Sequence, residues 1–238
     1  MTLARKFAGL ADELRQESSP SEKLFRLAQR GAHSLGLSPA VTINRCVIVQ
    51  ITEPPKLTPG LSDLIIRRAE ERDVPGLEAV DNRDAALFRA RLGRGDMVYL
   101  GQLDGEVICH TCFHQGPTPF EEERATFAPW ALEDASSFWS YDASARLEAR
   151  SSGVVAKLFQ VALREVFELH GGRCVRGFIH DRNHPSLILH ERLGFTVIGK
   201  ATAVGLSRVK WVRWESGGRA RQWLLARNSD FALPPAMA

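Results

Sequence analysis

The segment Glu148-Ala-Arg-Ser-Ser-Gly-Val-Val-Ala-Lys-Leu158 carries the residue types best suited to holding an anion. It joins a strand-like stretch to a long helical pattern through a single glycine. The first N–H groups of a helix point outward unpaired and carry the positive end of the macrodipole, so they can bind a phosphate without any side chain. Gly153 lets a phosphate approach the backbone closely, Arg150 offers a bidentate donor, and Ser151 and Ser152 offer hydroxyls. An ordinary strand-to-helix turn uses the same residue types, so the turn by itself leaves both readings open.

Two other clusters invite chemistry. Cys109-His-Thr-Cys112-Phe-His114 has metal-ligand residues, but in a strand Cys109 and Cys112 face opposite sides. His110, Cys112 and His114 share a face without a fourth ligand at a familiar spacing, and no metal is expected. Further on, Arg208, Lys210, Trp211, Arg213, Trp214, Arg219, Arg221 and Trp223 mix basic and aromatic residues as single-strand nucleic-acid binders do. A half-buried strand with tryptophan inside and arginine outside gives the same pattern and is preferred, so no nucleic acid is expected.

The elements that must position these residues follow from periodicity and turn chemistry. Residues 3–15 and 21–34 have helical spacing of apolar residues, and Cys46 to Ile51 is a short strand-like run ahead of the proline-rich stretch 54–60. The N-terminal amphipathic helix is read as packed on its own domain or a partner rather than on a membrane, because its polar face carries acids as well as bases. From Leu61 the order is strand 64–68, a helix opening at Asp73-Val-Pro75, a hairpin around Asp104-Gly105, a long loop or short irregular helix over 116–136 and a strand 137–145. A helix 153–170 follows, with Val154, Leu158, Val161, Ala162, Val166 and Leu169 on its apolar face. After it come a strand 174–179, a helix 186–193, and strands 195–199 and 204–214. This is an α/β plan without internal repeats.

Bulk numbers restrict the class. The 238 residues are 44% hydrophobic and 25% charged, ordinary for a globular protein. A net charge of +3 from 31 basic and 28 acidic side chains makes no long-range field, though a polyanionic ligand needs only local donors. No apolar run reaches the roughly 20 residues of a membrane span, and acids at Asp12 and Glu13 interrupt any signal-peptide core, so a cytoplasmic location is expected. Four scattered cysteines are read as reduced thiols.

Downstream of the turn lies Asn183-His-Pro-Ser-Leu-Ile-Leu-His-Glu-Arg-Leu-Gly-Phe195, and here the chain resembles the GNAT (GCN5-related N-acetyltransferase) superfamily. The family's pyrophosphate turn, R/Q-x-x-G-x-G/A, matches at Arg150 and Gly153, with Val155 departing at the last position. The later pattern N-x-x-A-x-x-x-Y-x-x-x-G-F matches at Asn183, Gly194 and Phe195. Ser186 stands for the small residue and His190 for the tyrosine. The resemblance covers roughly Leu64 to Trp214. It implies a mixed central sheet flanked by helices, with residues 1–60 an N-terminal helical extension and linker, 61–215 the acyltransferase domain and 216–238 a tail.

The resemblance further implies an acyl-CoA cosubstrate, most simply acetyl-CoA. Its pantetheine arm would meet the backbone of Ala143 to Ala145. Its pyrophosphate would meet the amides of Ser151, Ser152, Gly153, Val154, Val155 and Ala156, with Arg150 beside it, and Asn183 would lie beside the thioester. An acceptor amine would attack the thioester directly. His190 would stand where a family tyrosine protonates the leaving thiolate, with a structural helix histidine as the other reading. Asp142 and Tyr141, on opposite faces of their strand, are the candidate bases, Asp142 first, and a salt-bridged Asp142 is the alternative. The acceptor is expected to be a small-molecule amine, an amino sugar ranked slightly ahead from a faint likeness of Leu87–Asp96 to acyltransferases of polysaccharide synthesis. Two other readings stay open: a non-catalytic acyl-CoA-binding module, and aminoacyl transfer from tRNA.

Overall fold

The run Cys46-Val-Ile-Val-Gln-Ile51 has the β-branched density of a strand buried on both faces. The computed structural model describes residues 41–116, 120–122, 125–128, 135–150, 152–206, 209–216, 219–227 and 231–232, and there the run extends to β1, Val41–Ile51. Far from belonging to a linker, β1 lies inside the main sheet, antiparallel to strands on both sides. The expected boundary at 61 is therefore corrected. Residues 52–64 are mostly exposed but are tied to the long helix, since Gln160 accepts hydrogen bonds from the Thr58 amide and hydroxyl, and Lys157 donates to the Thr58 carbonyl. The helices expected at 3–15 and 21–34 lie outside the described residues.

After β1 come β2 (Ile65–Arg68), α1 (Val74–Asp81) and α2 (Ala85–Arg94). The Asp84 side chain caps α2 by accepting from the Ala86 amide at 2.8 Å. Strands β3 (Met97–Leu103) and β4 (Glu106–Gln115) form the expected hairpin, with φ of 53° and 82° at Asp104 and Gly105, the two positive values of a type I′ turn. Short strands β5 (Phe120–Glu122) and β6 (Ala125–Ala128) follow, then β7 (Ser137–Ala145), α3 (Val154–Glu168), β8 (Cys174–His180) and α4 (His184–Arg192). Last come β9 (Thr196–Leu206), β10 (Val209–Ser216), β11 (Arg219–Arg227) and β12 (Phe231–Ala232).

The main sheet has nine strands in the order β11-β10-β9-β1-β8-β7-β4-β3-β2, and β12-β6-β5 make a smaller one. Only β7 and β8 run parallel within the main sheet, so it is mixed, as expected. One strand stands where breaks at 199 and 204 were expected, because Lys200 and Ala203 pair with Val47 and Asn44 of β1. The expected tail beyond 216 includes β11, which pairs with β10.

Alternation covers both faces. Met97 and Tyr99 of β3 join the core under α3, whereas Val98 and Leu100 join the core under α1 and α2. Under α3 lie Leu158, Phe159, Ala162, Leu163 and Val166. Leu169, expected on that face, follows the last helical residue and is 74% exposed.

Candidate functional site: a cleft between diverging strands

The described pairs between β7 and β8 run from Ser137–Cys174 to Ser140–Gly177 and end there. A Cβ on Gly177 would lie 3.0 Å from the Ser140 carbonyl oxygen, so glycine is what lets the strands meet at this vertex. Beyond it β7 follows β4, pairing Tyr141 with Cys112 and Ser144 with His110, so Asp142 and Ala143 together oppose Thr111 alone. That is a β-bulge, and Asp142 takes a φ of 50° in it. Between the parting strands opens a cavity of roughly 410 Å³, lined by Trp139 to Ala143 of β7, Gly177 to His180 of β8, Phe159 of α3, Asn183, Ser186 and His190 at α4, and Arg83.

The turn into α3 sits at the end of β7. Gly153 is the residue before the helix, with φ 82° and ψ 0°, and nothing lies within 4 Å of where its Cβ would be. Among the described residues, no acceptor meets the amides of Gly153, Val154 or Ala156. Arg150, Ser152 and Gly153 are exposed, and Ser151 lies outside the described residues. The turn spends some of its donors on itself. Ser152 donates from both its amide and its hydroxyl to the Ala149 carbonyl, and Arg150 Nε donates to the Ala145 carbonyl at 3.1 Å. Val155 packs its side chain against the core. The departure from the family pattern therefore points inward, away from an incoming phosphate.

Asn183 caps α4, its side-chain oxygen accepting from the Ser186 amide at 3.3 Å, which starts the helix two residues before the expected 186. The cap leaves the Asn183 NH₂ group as donor at the rim of the cavity. One turn on, His190 Nδ1 donates to the Ser186 carbonyl at 2.8 Å. A carbonyl only accepts, so this bond fixes the proton on Nδ1 and leaves Nε2 with a lone pair. Phe159 and Phe195 meet the ring edge-on at 5.1 and 4.8 Å. Burial lowers the imidazole's proton affinity, and the bond to Ser186 only partly offsets this. The ring is therefore neutral at pH 7, which runs against an imidazolium acid at rest.

The two candidate bases are both engaged elsewhere. Asp142 is ion-paired through Oδ1 with Arg83 at 2.6 Å and through Oδ2 with Arg91, its side chain 4% exposed. Tyr141 donates to Asp96 and stacks against Arg91, whose guanidinium carbon is 5.2 Å from the ring centre. Burial pushes the Tyr141 phenol far up, and the neighbouring Cys112 and Asp96 add to it. Burial also opposes ionisation of Asp96, but hydrogen bonds from His114, Arg94 and Tyr141 outweigh it and hold that carboxyl below its usual range. The expected opposition of Tyr141 and Asp142 fails because the bulge breaks the alternation, and both side chains reach Arg91. Neither is placed as a free base. Nothing in the sequence tied Arg83 or Arg91 to Asp142, which lies far along the chain.

The cysteine–histidine face divides. His114 Nδ1 donates to Asp96 Oδ1 at 2.7 Å, while His110, Cys112 and Asp142 bring ligand atoms within 4.8 Å of one another. Arg91 already fills that space, with Nη1 3.6 Å from Cys112 Sγ and ion-paired to Asp142. Three of the thiols are poor nucleophiles, since burial pushes Cys46 up to about 11 and Cys109 and Cys112 each to about 12.

Among the described residues, the main sheet is mixed, its parallel pair parts at a glycine, and a long helix follows the strand that leads away from the vertex. No family model matches the chain, and no curated protein matches it. Solved structures do. A Drosophila protein is similar at 17% identity and a TM-score of 0.50, over 74% of this chain and 56% of its own. A protein from Novosphingobium aromaticivorans assigned to the GNAT acetyltransferases is similar at 17% identity and a TM-score of 0.50, over 71% of this chain and 69% of its own. A glucosamine N-acetyltransferase region within a fungal multi-domain β-N-acetylglucosaminidase reaches a TM-score of 0.53 at 13% identity, over 74% of this chain and 22% of that one. The chain thus spans little more than half the length of the Drosophila protein. Identities this low carry the fold alone, and that fold is the GNAT acetyltransferase fold.

Proposed function

We propose that this protein is an acyl-CoA-dependent N-acyltransferase, with acetyl-CoA as donor and a small-molecule amine as acceptor. The observation that carries the reading is the end of the described β7–β8 ladder at Ser140–Gly177, which opens a cavity, together with the exposed Gly153 turn that starts α3 beyond the end of β7. The amides of Gly153 to Ala156 would hold a diphosphate, and the parted strands leave room for an extended arm. When bound, the acyl-CoA supplies an activated thioester.

The chain's own part is to position and to move a proton. With the Cys46, Cys109 and Cys112 thiols held protonated by burial, direct attack by the amine is favoured over an acyl-cysteine on any of them. Nitrogen bonds to the carbonyl carbon, the carbon–sulfur bond breaks, and the thiolate leaves with the bonding pair. His190 Nε2 would take the proton released by nitrogen and return it to the thiolate, ending as it began. This makes the ring base first and acid second, instead of acid only.

Among acceptors, amino sugars are the first to test, given the neighbour of the same fold that is a glucosamine N-acetyltransferase region. Thermal shift with acetyl-CoA tests the donor, with Gly153→Glu as control. The unaltered protein should gain stability at saturating acetyl-CoA and the variant should not. No gain in the unaltered protein would remove the reading. Binding without free CoA released over a broad panel of amines would favour a non-catalytic module.

A further inference from the structure

Asp142 holds a backbone conformation that few side chains adopt. It has a φ of 50°, a region where side chains other than glycine, asparagine and aspartate rarely sit. It forms the first half of a bulge that begins two residues past the last described β7–β8 pair, and both halves, Asp142 and Ala143, line the cavity. Strain of this kind persists only where surroundings over-determine it.

The surroundings here include two arginines, Arg83 and Arg91, both ion-paired with Asp142. Arg91 is fully buried on α2, its guanidinium carbon 5.2 Å from both the Phe88 and Tyr141 ring centres, and it is paired with Asp142 Oδ2. Arg83, between α1 and α2, pairs with Asp142 Oδ1 and also with Asp81 at 2.8 Å. Each carboxylate oxygen is therefore held by a different cation from the layer behind the sheet. A buried carboxylate gripped at both oxygens cannot rotate, and its Cα is held with it.

We infer that Arg83 and Arg91 act through Asp142 as a clamp that holds the left-handed bulge, and so aims the Ala143 main chain at the acyl carbonyl. Asp142 is then a positioning residue and not the base. The inference rests on the acyltransferase reading and deepens it.

Two double variants separate conformation from charge. Arg91→Met with Asp142→Gly removes the clamp but leaves a residue at ease with positive φ. Arg91→Met with Asp142→Ala removes the clamp and disfavours the bulge. Both delete the ion pair with Arg91 together, which spares the fold the cost of a single buried charge. The readout is the infrared stretch of the thioester carbonyl in bound ¹³C-acetyl-CoA, with binding measured separately. The clamp requires a shift to lower wavenumber in the unaltered protein, kept in the glycine double variant and lost in the alanine one, with acetyl-CoA affinity alike in all three. In an acceptor assay, turnover should fall by about a hundredfold for alanine and far less for glycine, at similar KM for acetyl-CoA. Equal loss in both doubles, or an unshifted carbonyl in the unaltered complex, overturns the clamp while leaving the transferase reading intact. Failure of the unaltered protein to bind acetyl-CoA removes both, and the separate binding measurement tells these cases apart.

Discussion

His190 shows how one hydrogen bond sets the chemistry a residue can do. The Ser186 carbonyl holds the proton on Nδ1, so the ring that lines the cavity keeps its lone pair on Nε2. A pH consequence follows for stability. In the unfolded chain the ring titrates near 6.5, and burial lowers that value in the folded one. Above pH 6.5 both states carry a neutral ring and no dependence arises from it. As the pH falls below 6.5, the unfolded chain gains a proton that the folded chain refuses until lower pH, so stability declines with falling pH in that window. His190→Phe keeps the aromatic volume and removes the titration. Thermal melts from pH 7.5 down to 5 should show a shallower decline for the variant, and equal slopes would contradict the buried neutral ring. In an acceptor assay, His190→Gln should lower turnover by on the order of a hundredfold at pH 7, within the usual range for a lost acid–base group.

At the scale of elements, two glycines serve the cleft for different reasons. Gly177 permits an approach, its missing Cβ leaving room for the Ser140 carbonyl. Gly177→Val would drive the strands apart at the vertex, and the close contact is with backbone, which cannot swing aside. A fall in melting temperature with loss of any acetyl-CoA stabilisation is expected, and an unchanged melt with full stabilisation would show that the vertex tolerates a side chain. Gly153 instead permits a dihedral, since the space around it is open while its φ is 82°. Gly153→Ala should cost about 1 kcal/mol or more by urea melts, purely from backbone strain. A neutral result would mean that the turn adopts another conformation.

For the whole molecule, the position of β1 decides what can be removed. It bridges β8 and β9, and Ile48 and Val49 within it are 1% and 3% exposed. A chain trimmed to begin at 61 would lose the strand joining the two halves of the sheet and should not fold cooperatively by circular dichroism. Trimming to begin at 41 keeps every described strand. Ile48→Ala should cost 2–5 kcal/mol, the usual range for a large-to-small change in a packed core. A cooperative melt from the chain beginning at 61 would refute the bridging role. Among the described residues, no helix is long and apolar enough to cross a membrane.

Local chemistry was legible from the residues alone. The Asp104-Gly105 hairpin and the glycine opening α3 rest on contacts within a few residues, where spacing and residue type suffice. What tertiary structure decided was every choice between distant partners. β1 looked like a linker's neighbour because its register with β8 and β9 is nowhere encoded near it. Asp142 looked like a base because strand alternation is a local rule, and a bulge held by arginines from α2 and the preceding connection suspends that rule. The physical reason is the same in each case. Hydrogen-bond partners and ion pairs across a sheet are settled by packing free energy summed over the whole fold, and a stretch of sequence records only its own share.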